Sequence, residues 1–207
     1  MINKLQFISN QTNGLSHLES IQIALEAGCD WIQLRIKDQP VEHVLQQATD
    51  AKIMCDQYQA KLIINDFPNV AKEVGAHGLH LGLGDMSITE ARKIVGSHTI
   101  IGGTANTYEN ILDRVREGAD YVGLGPFQYT STKQNLSPML GLKGYQSLMK
   151  RLMELGHSIP VIAIGGITVS DISQIMETGI HGVAISGSII RSETPKTLVS
   201  QIQQILC

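Results

Sequence analysis

Eight short apolar runs of β character alternate with eight longer amphipathic stretches along the 207-residue chain. This alternation predicts an α/β fold, a single (β/α)8 or TIM barrel over residues 1–207. Glycine recurs where a helical stretch gives way to the next β-like run, and no linker or shift in composition marks a second domain. A doubly wound open sheet usually has fewer strands, so the count of eight favours the closed barrel.

The elements follow in order. Residues 5–8 (Leu-Gln-Phe-Ile) give the first strand, and Ser16 with Glu19 three residues on opens a helix over 16–27. Ala-Gly-Cys-Asp at 27–30 ends that helix before the strand 31–36, and 41–57 carries the next helical period. The strand 61–64 leads to a short helix over 69–74, which Val-Gly-Ala-His at 74–77 turns into the strand 78–81. Ser87 and Glu90 start the helix 88–95. The strand 99–102 and the helix 107–117 come next, with Asn106 suited to the helix N-cap. Glu-Gly-Ala-Asp at 117–120 introduces the strand 121–124. Residues 125–140 have no regular pattern, and a loop of that length in a compact domain is usually functional or disordered. Helix 142–155, strand 161–164, helix 170–178, strand 182–185 and helix 196–206 complete the alternation.

Composition removes several function classes. There are 16 Lys and Arg against 19 Asp and Glu, and aromatic residues make up 4% of the chain. A nucleic-acid partner calls for a basic excess with interleaved aromatics, so none is expected. No apolar run approaches the roughly 20 residues that span a bilayer, so no membrane partner is expected either. The opening Met1-Ile2-Asn3-Lys4-Leu5 is unlike a secretory leader. Cys29, Cys55 and Cys207 stand far apart in no metal or disulfide pattern. The expected setting is the cytoplasm, with small molecules as partners and room for a homo-oligomer.

In such a barrel the working face forms where strands end and helices begin. The run Trp-Ile-Gln-Leu-Arg-Ile-Lys-Asp at 31–38 puts Gln33, Arg35 and Lys37 on one face and Ile32, Leu34 and Ile36 on the other. Two cations and an amide at a strand's C-terminal end suit an anionic ligand. The next strand ends in Asn65-Asp66, and the one after it is followed by Gly82-Leu83-Gly84-Asp85. Either aspartate alone would serve as a helix cap. As a pair at adjacent strand mouths they suit a hard divalent cation that keeps its waters and shares substrate phosphates, here Mg2+ with a pyrophosphate.

Thr130-Ser131-Thr132-Lys133 lies in the long irregular loop and can close over phosphate oxygens. Gly165-Gly166 and Ser186-Gly187-Ser188 follow the seventh and eighth strands, where barrels often hold a phosphate on backbone N–H groups. His77 and His80 make a poor metal pair on a turn and a strand. His80 is expected inside the barrel, bonded to a neighbour.

Together these motifs resemble the thiamine-phosphate synthase family, with the likeness running from about residue 33 to 188. It is carried by Gln-Leu-Arg-Ile-Lys at 33–37, Asn-Asp at 65–66, Gly-Leu-His-Leu-Gly-Leu-Gly-Asp at 78–85 and Gly-Ala-Asp-Tyr-Val-Gly-Leu-Gly-Pro at 118–126. Thr-Ser-Thr-Lys at 130–133, Pro-Val-Ile-Ala-Ile-Gly-Gly-Ile at 160–167 and Gly-Val-Ala-Ile at 182–185 extend it. The resemblance implies coupling of 4-amino-5-hydroxymethyl-2-methylpyrimidine pyrophosphate with hydroxyethylthiazole phosphate, after loss of pyrophosphate to leave a pyrimidine methylene cation. It implies Arg35, Lys37, Asn65 and Lys133 at the pyrophosphate, with Arg35, Lys37 and Lys133 catalytic, and Asp66 and Asp85 on Mg2+. Gln33 and Thr104 fall at the pyrimidine. Thr130, Thr132, Gly165, Gly166, Ser186 and Gly187 fall at the thiazole phosphate.

The chain departs from the family pattern at Leu83, where Gln is usual, and at Gln128-Tyr129, where an aromatic-Pro pair is usual. Ser186-Gly187 replaces a Val-Ser pair, and Gly-Gly-Thr-Ala-Asn at 102–106 stands for Gly-x-Ser-x-His. Two rival readings follow. One is a thiazole tautomerase, which needs a base rather than Mg2+; the other is a non-catalytic barrel that binds thiamine phosphates. The full set of Arg35, Lys37, Asp66, Asp85 and Lys133 argues against both.

Overall fold

The computed structural model describes residues 2–12, 14–129 and 138–207. Eight strands, β1 (Leu5–Ile8), β2 (Trp31–Leu34), β3 (Lys61–Asn65), β4 (Gly78–Leu81), β5 (Ile100–Ala105), β6 (Tyr121–Leu124), β7 (Val161–Ile164) and β8 (Gly182–Ile185), close into one barrel in sequence order. All pairings are parallel, and β1 meets β8 in the register Leu5 with Val183. Around the strands lie α1 (His17–Glu26), α2 (Val41–Gln57), α3 (Pro68–Glu73), α4 (Ile88–Val95), α5 (Tyr108–Glu117), α6 (Gly141–Glu154), α7 (Val169–Glu177), α8 (Gly187–Ile190) and α9 (Pro195–Leu206). The single (β/α)8 barrel expected from the alternation is what the chain forms.

Period two sorts each strand between two layers. Ile32, Leu34 and Ile36 belong to the large apolar shell between barrel and helices, together with Leu62, Leu79, Ile101 and Val183. Trp31, Ile63, Tyr121 and Ile162 point inward and form a smaller core inside the barrel. Trp31 and Tyr121 meet edge to face at 5.1 Å between centroids. Gly102 is required there, because a Cβ on it would run into the Tyr121 ring.

Several boundaries shift from expectation, and three of the differences have a clear local cause. The second strand ends at Leu34 rather than residue 36, since Arg35 N–H donates to the Ser9 hydroxyl (3.0 Å) instead of continuing the ladder. The fifth strand runs on to Ala105 because Thr104 and Ala105 pair with Gly123 and Leu124. Asn106 is not the cap of α5. Thr107 is, its hydroxyl accepting Asn110 N–H at 3.2 Å, while the Asn106 amide donates to Gly125 O. The one-turn helix α8 has no counterpart in the expected elements, being too short to show a helical period.

Candidate active site

The strand ends open into a cavity of about 410 Å3. Gln33, Arg35 and Lys37 all line it, as the alternation on the second strand requires. Asn65, Asp66, Thr104, Gly165, Gly166, Ser186 and Gly187 line it too, so residues scattered over 150 positions converge on one mouth. Asp85 stands at the rim, exposed, and reaches the cavity through Asp66. Thr130, Thr132 and Lys133 lie outside the described residues.

The cation-rich end is built on the ends of β2 and β3. Lys37 Nζ pairs with Asp66 Oδ2. Burial lowers the Arg35 pKa, while the charges of Asp66 and Asp38 oppose that shift. Asp66 sits in the left-handed region at φ 67°, which Asp tolerates better than most residues, and its N–H donates to His80 O at 2.9 Å. This turn brings its carboxyl beside that of Asp85, whose Oδ2 accepts Gly82 N–H at 2.6 Å. Neither aspartate caps a helix.

The two carboxyls titrate in opposite senses. Burial and the contact with Asp85 push Asp66 up to about 6, against the pull of Lys37. Burial also raises Asp85, but the Asp66 contact, the Gly82 N–H, Lys37 and His80 together hold it below the ordinary carboxylate range. Two carboxylates in contact share one proton best, and a divalent cation is the other way to relieve the pair. Asp66 Oδ1 is buried without a hydrogen-bond donor, so the donor set fits a hard cation. Among the described residues no cluster of three or more His, Cys, Asp or Glu converges, so water and substrate would have to complete the ion's shell.

A hydrogen-bonded chain crosses the barrel beneath the mouth. Gln33 Nε2 donates to Gln6 Oε1 (3.3 Å), and Gln6 Nε2 donates to Tyr121 Oη (3.3 Å). Tyr121 Oη lies 3.0 Å from His80 Nδ1, and His80 Nε2 lies 3.1 Å from Thr104 Oγ1. Burial pushes the Tyr121 phenol up, so it keeps its proton. Tyr121 and Thr104 thus engage both ring nitrogens of His80 and fix the ring beneath the cavity. The interior position expected for His80 is the one it takes.

At the opposite side, Gly165 and Gly166 have φ of +94° and +71°. A Cβ on Gly166 would stand 2.7 Å from Tyr129 O, and one on Gly165 would stand 2.8 Å from Pro126 Cβ. These glycines therefore let the loop after β6 cross close over the loop after β7, a reason the sequence alone did not provide. Ser186 Oγ is buried without a partner. Of the five described residues with buried, unpartnered side-chain polar atoms, Asn65, Asp66 and Ser186 all line this cavity. Buried polar groups are almost always satisfied, so their concentration marks a place for a polar ligand. Tyr129, Thr168 and Arg191 also line the cavity. They carry no motif, and only the i to i+4 spacing from Gly187 hints at Arg191.

The family model described as thiamine monophosphate synthase matches residues 5–189. A thiamine-phosphate synthase of Flavobacterium johnsoniae is 48% identical over 206 residues, covering 100% of this chain and 97% of that one. The thiamine-phosphate synthase of Bacteroides thetaiotaomicron is 49% identical over 191 residues, 92% of this chain and 91% of its own. Among solved structures, thiamine phosphate pyrophosphorylase from Pyrococcus furiosus superposes with a TM-score of 0.82 at 29% identity, covering 98% of this chain and 95% of that one.

Proposed function

Because the chain belongs to the thiamine monophosphate synthase family, and is thus a transferase that forms thiamine phosphate, we propose that the barrel mouth couples its two substrates by a dissociative substitution. The bond from the pyrimidine methylene carbon to the pyrophosphate oxygen breaks, and the oxygen keeps the electron pair. The thiazole nitrogen then gives its lone pair to the resulting cation. The observation that carries this reading is the convergence of Arg35, Lys37, Asn65 and Asp66 at one end of the cavity and the glycine-lined strand ends at the other.

Each residue has a task in this scheme. Arg35 and Lys37 neutralise charge growing on the departing pyrophosphate, which is where electrostatic stabilisation counts most. Asn65 Nδ2, buried and without a protein partner, donates to the same group. Lys133 takes its place beside them on the strength of the sequence resemblance. Asp66 and Asp85 would hold Mg2+, and the bound ion supplies Lewis-acid charge to pyrophosphate oxygens. Gln33 and the Thr104 hydroxyl, held by His80, orient the pyrimidine. Thr130, Thr132, Ser186 and the Gly165, Gly166 and Gly187 backbones hold the thiazole phosphate.

Small-molecule substrates suffice for this chemistry, and no described helix is long and apolar enough to cross a membrane. A cytoplasmic setting fits the three cysteines, all of them free thiols. The decisive experiment mixes the protein with both substrates and Mg2+ and assays thiamine phosphate and pyrophosphate in equal amounts. Absence of both products would refute the reading.

A further inference from the structure

The cavity has two ends. Arg35 and Lys37 stand with Asp66 at the ends of β2 and β3, whereas Gly165, Gly166, Ser186 and Gly187 follow β7 and β8. In a closed ring of eight strands, β3 and β7 lie opposite each other. The coupling reaction brings together two phosphorylated substrates, so each end needs its own means of holding an anion. At the second end, the one cation among the described lining residues is Arg191.

Local geometry puts it there. Arg191 N–H donates to Gly187 O at 3.1 Å, so a single turn of α8 returns the arginine above the residue that begins the turn. The guanidinium lies across Gly187. A Cβ on that glycine would sit 2.7 Å from Nη2 and 2.8 Å from Cζ, so the absent side chain makes room for the cation. Arg191 forms no ion pair with a carboxylate among the described residues. On the same turn, Ser186 Oγ is buried, unpartnered and part of the cavity wall. A cation with no internal partner and a hydroxyl with no internal partner share one corner of the cavity.

We propose that Arg191 is a specificity-determining residue that reads the phosphate of the thiazole substrate and so selects the phosphorylated thiazole over its free alcohol. The inference rests on the coupling reaction proposed above. A guanidinium offers a planar fork of N–H donors that matches two phosphate oxygens, and the Ser186 hydroxyl donates to a third. The alcohol offers neither the charge nor the paired acceptors, so the arginine distinguishes the two by charge-assisted hydrogen bonds.

The test is steady-state kinetics on the full chain with Mg2+, varying each substrate in turn for the wild type, Arg191→Gln and Arg191→Lys. Arg191→Gln is expected to raise KM for the thiazole phosphate by about 10- to 100-fold, to act on KM rather than kcat, and to move KM for the pyrimidine pyrophosphate far less. The preference for thiazole phosphate over hydroxyethylthiazole, as a ratio of kcat/KM values, should fall by a similar factor. Arg191→Lys should restore part of both. If Arg191→Gln does not fold, Arg191→Lys carries the test by itself, with a smaller rise in the same KM and a smaller fall in the same preference. An unchanged thiazole-phosphate KM in these variants, or a rise confined to the pyrimidine pyrophosphate, overturns the assignment. Failure of the wild type to form thiamine phosphate would instead overturn the proposed reaction, and is seen before any variant is made.

Discussion

At the scale of single residues the site turns on protons. Asp66 must shed its proton before it can bind a cation, and its pKa stands at about 6. Above that value Mg2+ meets a ready carboxylate; below it, each ion bound displaces a proton. Apparent Mg2+ affinity should therefore be nearly flat above pH 7 and weaken towards tenfold per unit below pH about 6. Calorimetry of Mg2+ titrated into the protein without pyrophosphate, whose own protons titrate in this range, at pH 5, 6 and 7 measures this. An affinity independent of pH would remove Asp66 from the ion's shell, and Asp66→Asn should abolish both the binding and its slope.

Asn106 gives a prediction of the opposite kind. Moving a proton between carbon and nitrogen needs a group that accepts and returns it near neutral pH. The Asn106 amide has no such pKa and is committed to Gly125 O, and His80 is held on both ring nitrogens by Tyr121 and Thr104. A thiazole carboxylate phosphate isomer supplied alone should show no interconversion by NMR. Turnover comparable with coupling would favour a tautomerase.

At the scale of elements, β1 and β2 are joined at the mouth by a small polar cluster. Ser9 Oγ accepts Arg35 N–H and lies 2.9 Å from His17 Nδ1. Its one hydroxyl proton is donated to an imidazole nitrogen that must be unprotonated to receive it. Burial lowers the His17 pKa to about 4, helped by the charges of Arg35 and His43. The unfolded chain takes up this proton near pH 6.5 and the folded chain does not until about 4. Stability contributed by the neutral ring is thus full above pH 6.5 and is lost as pH falls to about 4. Discounting for the partial exposure of the ring, the loss is on the order of 1–2 kcal/mol. Urea midpoints across this range should fall in the wild type and change less in His17→Gln; equal slopes would refute the cluster's role.

How much of this was legible in the sequence varies from element to element. The Ser16–Glu19 capping box stands where its spacing put it, because a cap is a local device whose partners are three residues apart. Asn106 misled for a related reason. Its neighbour Thr107 caps equally well, and only the loop after β6, far away in sequence, decides which residue takes the role. Strand alternation predicted that Gln33, Arg35 and Lys37 share a face, since period two is fixed by the pleat even one turn beyond the strand. Arg191 was illegible: one turn of helix has no periodicity, and its significance lies in what crosses the cavity from it.

At the scale of the whole molecule, ring closure makes the site a property of the barrel and not of any segment. Lining residues come from the ends of all eight strands, from Ile8 at the end of β1 to Ser186 after β8, and β1 ties to β8 through three register pairs from Leu5 to Phe7. A ligand seated between the β2–β3 end and the β7–β8 end bonds to opposite sides of the same ring, so it binds the folded chain and not the unfolded one. By mass action, Mg2+ and pyrophosphate at a hundred times their dissociation constant should add about 2.7 kcal/mol to stability. For a chain of this size that is roughly 5–10 °C in Tm. Differential scanning fluorimetry with Mg2+ alone, pyrophosphate alone and both together separates the contributions, and the combination should exceed the sum of the parts because each completes the other's shell. Asp66→Asn should retain the ligand-free Tm, since loss of the Lys37 pair is offset by relief of the carboxyl contact, and should lose the joint increment. A full increment in Asp66→Asn would show that the pyrophosphate is held by the cations Arg35 and Lys37 without the carboxylate end of the mouth.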